Sequence, residues 1–317
     1  MSRKVKISFL ETVYPPFTNR EAPELINPMN PRLIELLEKS KLYMICQRPK
    51  AHIANLKLIG SILSFDIKRG TATIDSGSID LNKQRTLDDL DNIEVNYDLD
   101  EAQHVQLGTN IGSGQFQSRI KLTPDSVYWH KSRNNYSLEG FDNHQAFAKY
   151  TLQYVGISTG QNSVDRVLSG EHKARTNIIS YAPTMQPGAH PSDETVFFLF
   201  DIVPMLMEVL APEDESCITE ESYNPAKIIK DAEKAFIHML DPSFNLQKYK
   251  SFPKSADGLY TSGYDAYQYW VSENVELITD KATLKGVRSN FGFPIPPNLP
   301  DSIYVEGDEV SINFENE

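Results

Sequence analysis

The 317-residue chain is short of cysteine, having only Cys46 and Cys217. The two lie far apart and match no metal-ligand spacing, which argues against a thiolate metal centre. They read as reduced core thiols rather than a disulfide framework. Long apolar runs are also missing. None approaches the roughly 18 residues of a membrane span, and no apolar segment follows the basic start Met-Ser-Arg-Lys-Val-Lys as a signal peptide requires. A soluble, cytoplasmic protein without membrane contact is the expectation. Positive charge is in deficit, with 31 Lys and Arg against 43 Asp and Glu and a net charge of -12. That counts against a general, charge-driven nucleic-acid binder but leaves room for a local basic cleft. The acidic run from Asp88 to Glu101 lacks the glycine-centred loop of an EF-hand and reads as a solvated strand edge. Repeats and low-complexity segments are absent.

What is present is enough for a sizeable core, with 40% hydrophobic and 10% aromatic residues. The first 32 residues carry five prolines (Pro15, Pro16, Pro23, Pro28 and Pro31) and read as an irregular arm with one strand, Val5 to Leu10. Asn30-Pro31 opens a helix ending near Ser40. Residues 53–122 alternate apolar and polar positions between glycine turns, the pattern of a mostly antiparallel β region. Asp125 to Lys131 reads as a short strand. Lys149 to Ser158 is a strand, and Ser163 caps a helix bearing Val164, Val167, Leu168, Ile178 and Ile179, with a break expected at Gly170-Glu171. Thr195 to Val203 is a nearly continuous apolar run, as in a strand buried on both faces, and Met205 to Leu210 reads as a helical turn. Asn224-Pro225 opens the clearest helix, which Pro242 ends.

Arg166 near a helix start opposes the macrodipole and calls for a negative partner, either Asp165 or a phosphate gripped by the guanidinium fork. Glu233 lies beside the apolar stripe of its helix. It reads either as a boundary residue pairing with Lys230 or as a carboxylate holding one Mg²⁺.

The order Tyr154-Val155-Gly156, then Arg166, an apolar strand, Glu233, Pro242 and Asn245 resembles the GIY-YIG endonucleases. The resemblance covers residues 125–250. It implies an α+β fold: a small GIY-YIG-like central antiparallel sheet flanked by helices, in residues 123–255. An N-terminal, mostly β accessory domain would occupy residues 1–122, and a C-terminal packing extension residues 256–317. The nearest match to the first motif is Ser126-Val127-Tyr128, without the glycine, and Tyr136 is the alternative. The implied catalytic set is Tyr128, Tyr154, Arg166, His172 and Glu233, with Glu233 also the ligand of Mg²⁺ or Mn²⁺. Lys173, Lys230, Lys234, Asn245 and Lys248 form the implied substrate-binding set. The implied reaction is metal-dependent hydrolysis of phosphodiester bonds in DNA, suited to a restriction-type or antiviral defence enzyme, with homo-oligomerisation left open. The rival expectation is a binding or scaffold protein that keeps the fold without the activity.

Overall fold

The structure, a computed structural model, describes residues 3–26, 31–88, 92–97, 103–111, 114–158, 163–168, 172–209, 224–288 and 299–314. Cys217, the cap Asn30 and the expected break at Gly170-Glu171 lie outside these residues. Strands β1 (Arg3–Thr12) and β2 (Phe17–Thr18) precede helices α1 (Pro23–Ile26) and α2 (Pro31–Glu38), and β3 (Leu42–Gln47) follows. A long excursion then carries β4 (His52–Ile59), β5 (Ile62–Arg69), β6 (Ala72–Asp80), β7 (Glu94–Tyr97), β8 (Val105–Ile111) and β9 (Gln115–Leu122). It continues through α3 (Pro124–Ser132), β10 (Leu138–Gly140) and α4 (His144–Phe147). The chain returns as β11 (Lys149–Ile157) and runs on through α5 (Ser163–Leu168), α6 (Lys173–Tyr181), α7 (Pro191–Glu194), β12 (Thr195–Val209) and α8 (Pro225–Leu240). Last come β13 (Ala266–Val271), β14 (Glu276–Ile278), β15 (Thr283–Lys285), β16 (Ser302–Glu306) and β17 (Glu309–Asn313).

Ten strands form one mixed sheet in the order β15-β14-β11-β3-β12-β1-β13-β16-β17, with β2 also on β12. The excursion adds a four-stranded sheet, β10-β6-β5-β4, and a three-stranded one, β7-β8-β9. This overturns the expected fold class. Residues 123–255 do not close a small α+β sheet of their own. Their strands β11 and β12 flank β3, and β12 leads on to β1 and, through it, to β13, β16 and β17. The protein is mostly β, and its main sheet draws strands from both ends of the chain. Within residues 1–122, β1, β2 and β3 belong to the main sheet, while β4 to β9 build the excursion. Within residues 256–317, all five strands belong to the main sheet.

The local sequence explains the central strands. β3 reads Leu-Tyr-Met-Ile-Cys-Gln and is buried at every position, as a strand covered on both faces requires. On one face, Leu42, Met44 and Cys46 pack with α8; on the other, Tyr43 and Ile45 pack with α5 and α6. β12 runs through to Val209, so the helical turn expected at Met205 to Leu210 is strand as far as it is described. Val203, Met205 and Met207 alternate there on an exposed face, a period of two rather than of a helix. The strand expected at Asp125 to Lys131 is instead helix α3. Thr123 caps it, accepting from the Ser126 amide at 3.2 Å while the Ser126 hydroxyl accepts from the Thr123 amide at 2.7 Å, and Pro124 sits in the first turn. The opening arm is not irregular throughout: β1 runs ten residues between β12 and β13.

Helix α8 starts as Asn224-Pro225 dictates, the Asn224 side chain accepting from the Ala226 amide at 3.0 Å. It ends where Asp241 turns left-handed, at φ 54°. Its Ala232, Ala235 and Phe236 face the sheet. Asp231 anchors it further, accepting from the Tyr269 hydroxyl at 2.7 Å and the Leu259 amide at 2.6 Å. Burial raises that carboxyl to about 6 despite both donors.

Candidate active site

β3 and β11 are antiparallel, with Gly156 opposite Tyr43 and Tyr154 opposite Ile45. Side chains two residues apart on a strand share a face, so Tyr43 and Tyr154 stand on the same side of the sheet. Their rings stack at 6.1 Å between centroids. A Cβ on Gly156 would lie 2.6 Å from the Tyr43 hydroxyl and 2.7 Å from a Tyr154 ring carbon. Glycine is therefore required here for space: the Tyr43 side chain crosses the bare backbone. We expect Gly156→Ala to displace both rings, costing about 1–3 kcal/mol through overpacking. If the site cuts nucleic acid, the variant loses roughly 100-fold in cleavage rate; thermal unfolding and a cleavage time course check the two effects.

The tyrosine that the sheet sets beside Tyr154 is Tyr43; Tyr128 and Tyr136 lie elsewhere. Tyr128 lies on α3, stacks on Phe147 at 4.6 Å and donates to Asp75 at 3.1 Å. Tyr136 packs on His130, with ring centroids 4.3 Å apart. Tyr43 was legible as part of the apolar run Leu42 to Cys46, between Lys41 and Arg48-Pro49.

His172 joins the two tyrosines as the cap of α6. Its Nδ1 accepts from the Arg175 amide at 3.0 Å, and its Nε2 lies 2.8 Å from the Tyr43 hydroxyl. Burial, then the charges of Arg166 and Arg175, lower its pKa to about 4, so the ring is neutral near pH 7. With Nδ1 an acceptor, the proton sits on Nε2 and is donated to Tyr43. The Tyr43 and Tyr154 hydroxyls are coupled as well, their interaction raising Tyr43 and lowering Tyr154. The contacts run from the helix cap through His172 to Tyr43, whose ring stacks on Tyr154.

Arg166 projects from α5, and its charge acts on Tyr43, Tyr154 and His172. Glu233 reaches the same place from α8, its charge acting on both tyrosines. It does so past the edge of the sheet. Among the described residues, β14 pairs with Lys149 to Thr151 of β11 and no strand lies beside Tyr154 to Ile157 on that side. Asn245 covers part of that edge. Its side chain accepts from the Val155 amide at 2.9 Å and donates to the Val155 carbonyl at 2.8 Å, imitating a neighbouring strand. Glu233 accepts from the next available amide, that of Ile157.

Glu233 is half-buried, and burial pushes its carboxyl up to about 7; Lys234, the Tyr249 hydroxyl and the Ile157 amide pull the other way. Burial and the Glu233 charge raise Tyr154, against its coupling to the Tyr43 hydroxyl and the charge of Arg166. Among the described residues, no three His, Cys, Asp or Glu side chains gather as a ready-made metal centre. A Mg²⁺ ion needs few protein ligands and keeps several waters, so Glu233 alone fits the requirement. A partly desolvated carboxylate gains from a cation, and a cation there would offset the Glu233 charge that, after burial, raises Tyr154.

Compared with family profiles, curated proteins and solved structures, the chain has no match. What can be said of its chemistry rests on this geometry.

The expected substrate-binding residues divide. Asn245 is buried, with both ends of its amide engaged by the β11 backbone, so it orders the strand. Lys230 and Lys234 both pair with Asp257, the first at 3.7 Å. Lys248 pairs with Asp241 at 2.7 Å and caps the Pro242 carbonyl. Lys173, in the first turn of α6 next to His172, is exposed.

Proposed function

We propose that the chain is a metal-dependent endonuclease whose site resembles that of the GIY-YIG enzymes, set in a larger sheet. The observation that supports this reading is the convergence of Tyr43, Tyr154, His172, Arg166 and Glu233 from five elements on one place. A phosphodiester needs three things to be cut: a base for the attacking water, positive charge at phosphorus and stabilisation of the leaving oxygen. Tyr154 is the candidate base. Its hydroxyl is coupled to that of Tyr43, which lowers it toward the phenolate, while neutral His172 keeps the Tyr43 hydroxyl oriented. Arg166 supplies a fork of donors to the phosphate oxygens. Glu233 would hold Mg²⁺ or Mn²⁺, which supplies charge for the leaving 3′ oxygen when bound. The substrate on this reading is DNA, and exposed Lys173 lies beside the site to receive its backbone.

One observation favours the rival, a binding or scaffold role without catalysis. Lys230, Lys234 and Lys248 are neutralised by Asp257 and Asp241, so they build no open basic wall. The two readings separate in one assay. Plasmid DNA and RNA are incubated with the protein in Mg²⁺, Mn²⁺ or chelator, beside Arg166→Ala. We expect metal-dependent cutting of DNA that the variant slows by about 10²–10³-fold. No cutting by the wild-type protein under any metal leaves the binding role; equal cutting by the variant removes Arg166 from the site.

A further inference from the structure

A second group of cations lies where the excursion leaves the main sheet. The loop between α6 and α7 and the entry to β4 enclose a cleft of about 400 Å³, lined by Arg20, Lys50, His52, His190 and Asp193. Its walls are fixed from within. The buried Glu194 carboxylate accepts from the Met185 and Gln186 amides at 2.7 and 2.8 Å and so holds the loop. The Arg48 amide donates to the Glu194 carbonyl at 3.0 Å, tying the start of the excursion to α7. His190 Nδ1 accepts from the Ser192 amide at 3.2 Å, which leaves Nε2 as its donor end.

Charge in the cleft runs against the rest of the chain. Asp193 is gripped by both ends of the Arg20 guanidinium, whose Nη2 lies 3.1 Å from Oδ2, and Lys50 lies 4.0 Å from that same oxygen. Two cations share one carboxylate, in a chain of 31 basic and 43 acidic residues. The lysines of α8 stand among Glu233, Asp241 and Asp257, whereas here the neighbouring groups add donors. A cleft with an excess of one sign of charge focuses the field and concentrates counter-ions.

Asn19 joins this cleft to the candidate site. Its Nδ2 donates to Ser192 Oγ at 2.9 Å, its Oδ1 accepts from Arg175 Nε at 2.8 Å, and the next amide, that of Arg20, donates to the Ser192 carbonyl at 3.1 Å. Arg175 also donates from Nη1 to the Leu168 carbonyl at 3.0 Å, and its amide binds His172 Nδ1. It is half-buried, and among the described residues no carboxylate pairs with it. A guanidinium oriented by neutral acceptors keeps its charge for another partner. Arg175, Arg20 and Lys50 thus lead away from His172 in file, an arrangement that suits a chain of phosphates better than a single anion.

We propose that this cleft binds the DNA phosphate backbone on one side of the candidate active site, an inference that rests on the nuclease reading above. Binding of a short labelled duplex to the full chain is followed by anisotropy in chelator, where nothing is cut, at several salt concentrations. Wild type is compared with Lys50→Gln, Asp193→Asn and Lys254→Gln, the last removing an exposed lysine outside the cleft. We expect Lys50→Gln to bind about 3–10-fold more weakly, with a salt slope smaller by about one. Asp193→Asn should bind more tightly by a similar factor, a gain that structural damage does not produce, and Lys254→Gln should match wild type. Should Asp193→Asn unfold, Lys50→Gln against Lys254→Gln decides alone. Equal DNA affinity in wild type and Lys50→Gln overturns the inference and leaves the nuclease reading standing. Weaker binding by Lys50→Gln, with no cutting by wild type in any metal, keeps the cleft and removes the nuclease. Pyrophosphate is the probe for the other source of phosphate. If it raises the unfolding midpoint of wild type but not of Lys50→Gln, with DNA affinity equal in both, the cleft takes a free phosphate compound and the backbone assignment is overturned.

Discussion

Glu233→Gln should abolish metal-dependent cleavage and, above pH 7, make the protein more stable. The two effects have one cause. The Glu233 carboxyl is raised from its usual 4.5 to about 7, chiefly by burial. A group with a raised folded pKa contributes stability below its unfolded pKa and loses it as pH rises through the folded one. The contribution is complete below about pH 4.5 and gone above about 7. At pH 8 the native state holds a poorly hydrated charge that the unfolded chain hydrates freely. Glutamine keeps one acceptor oxygen and the side chain's shape and removes that charge, for a gain of roughly 1–3 kcal/mol. Unfolding midpoints at pH 8 and pH 5 check the sign: the gain appears at pH 8 and shrinks toward pH 5. Stability and activity moving in opposite directions is the behaviour of a group kept for chemistry. A lower midpoint at both pH values would make Glu233 structural, and undiminished cutting would remove it from the site.

Asp125→Ala should be among the most destabilising single substitutions in the chain, at about 3–5 kcal/mol. Asp125 and Arg48 are each 1% exposed and form a bidentate pair, with Arg48 Nε 2.9 Å from Oδ1. The Tyr150 hydroxyl donates to the same oxygen at 2.8 Å. Alanine takes from the buried guanidinium its bidentate carboxylate and from the buried phenol its acceptor. Replacing both ions together, Arg48→Met with Asp125→Leu, should cost far less, because two desolvation penalties vanish along with the attraction. Denaturant unfolding of the single and double variants decides the matter. A cost below about 1 kcal/mol for Asp125→Ala would mean that water reaches the pair.

The parts of the candidate site that the sequence brought forward carry local signals. Gly156 follows its tyrosine, Asn224-Pro225 opens α8, and Glu233 and Asn245 keep their order along the chain. Tyr43 was not legible by spacing, because its strand pairs with β11 across the whole excursion. A continuous apolar run marks a buried strand but does not say which strand it meets. Tyr128 was misplaced for a different reason. Its alternating residues suggested a strand, whereas Thr123-Pro124 and Ser126, just ahead, are a helix start. The fold class failed at longer range. β1 lies parallel to β13, with Val5 beside Ala266, and no periodicity within either strand announces the other. The Lys230, Lys234 and Lys248 cluster reads differently in space because Asp257 and Asp241 pair with it, which the spacing of the lysines alone does not announce.

The excursion leaves the main sheet after Gln47 and returns to it at Lys149, and Gln47 stands opposite Thr151. Its two ends therefore lie within about 10 Å of each other, one strand spacing of roughly 5 Å across and two residues, roughly 7 Å, along. The cost of closing such a loop grows only with the logarithm of its length. The joint behaves as a docking port for a cassette: what hangs from it can lengthen, shrink or be exchanged while the paired ladder keeps Tyr43 over Gly156. Distance along the chain between the two tyrosines then carries no information about the chemistry. The register of one ladder carries it, and a search for this kind of site gains more from pairing an apolar Xaa-Tyr strand with a Tyr-Xaa-Gly strand than from any fixed gap.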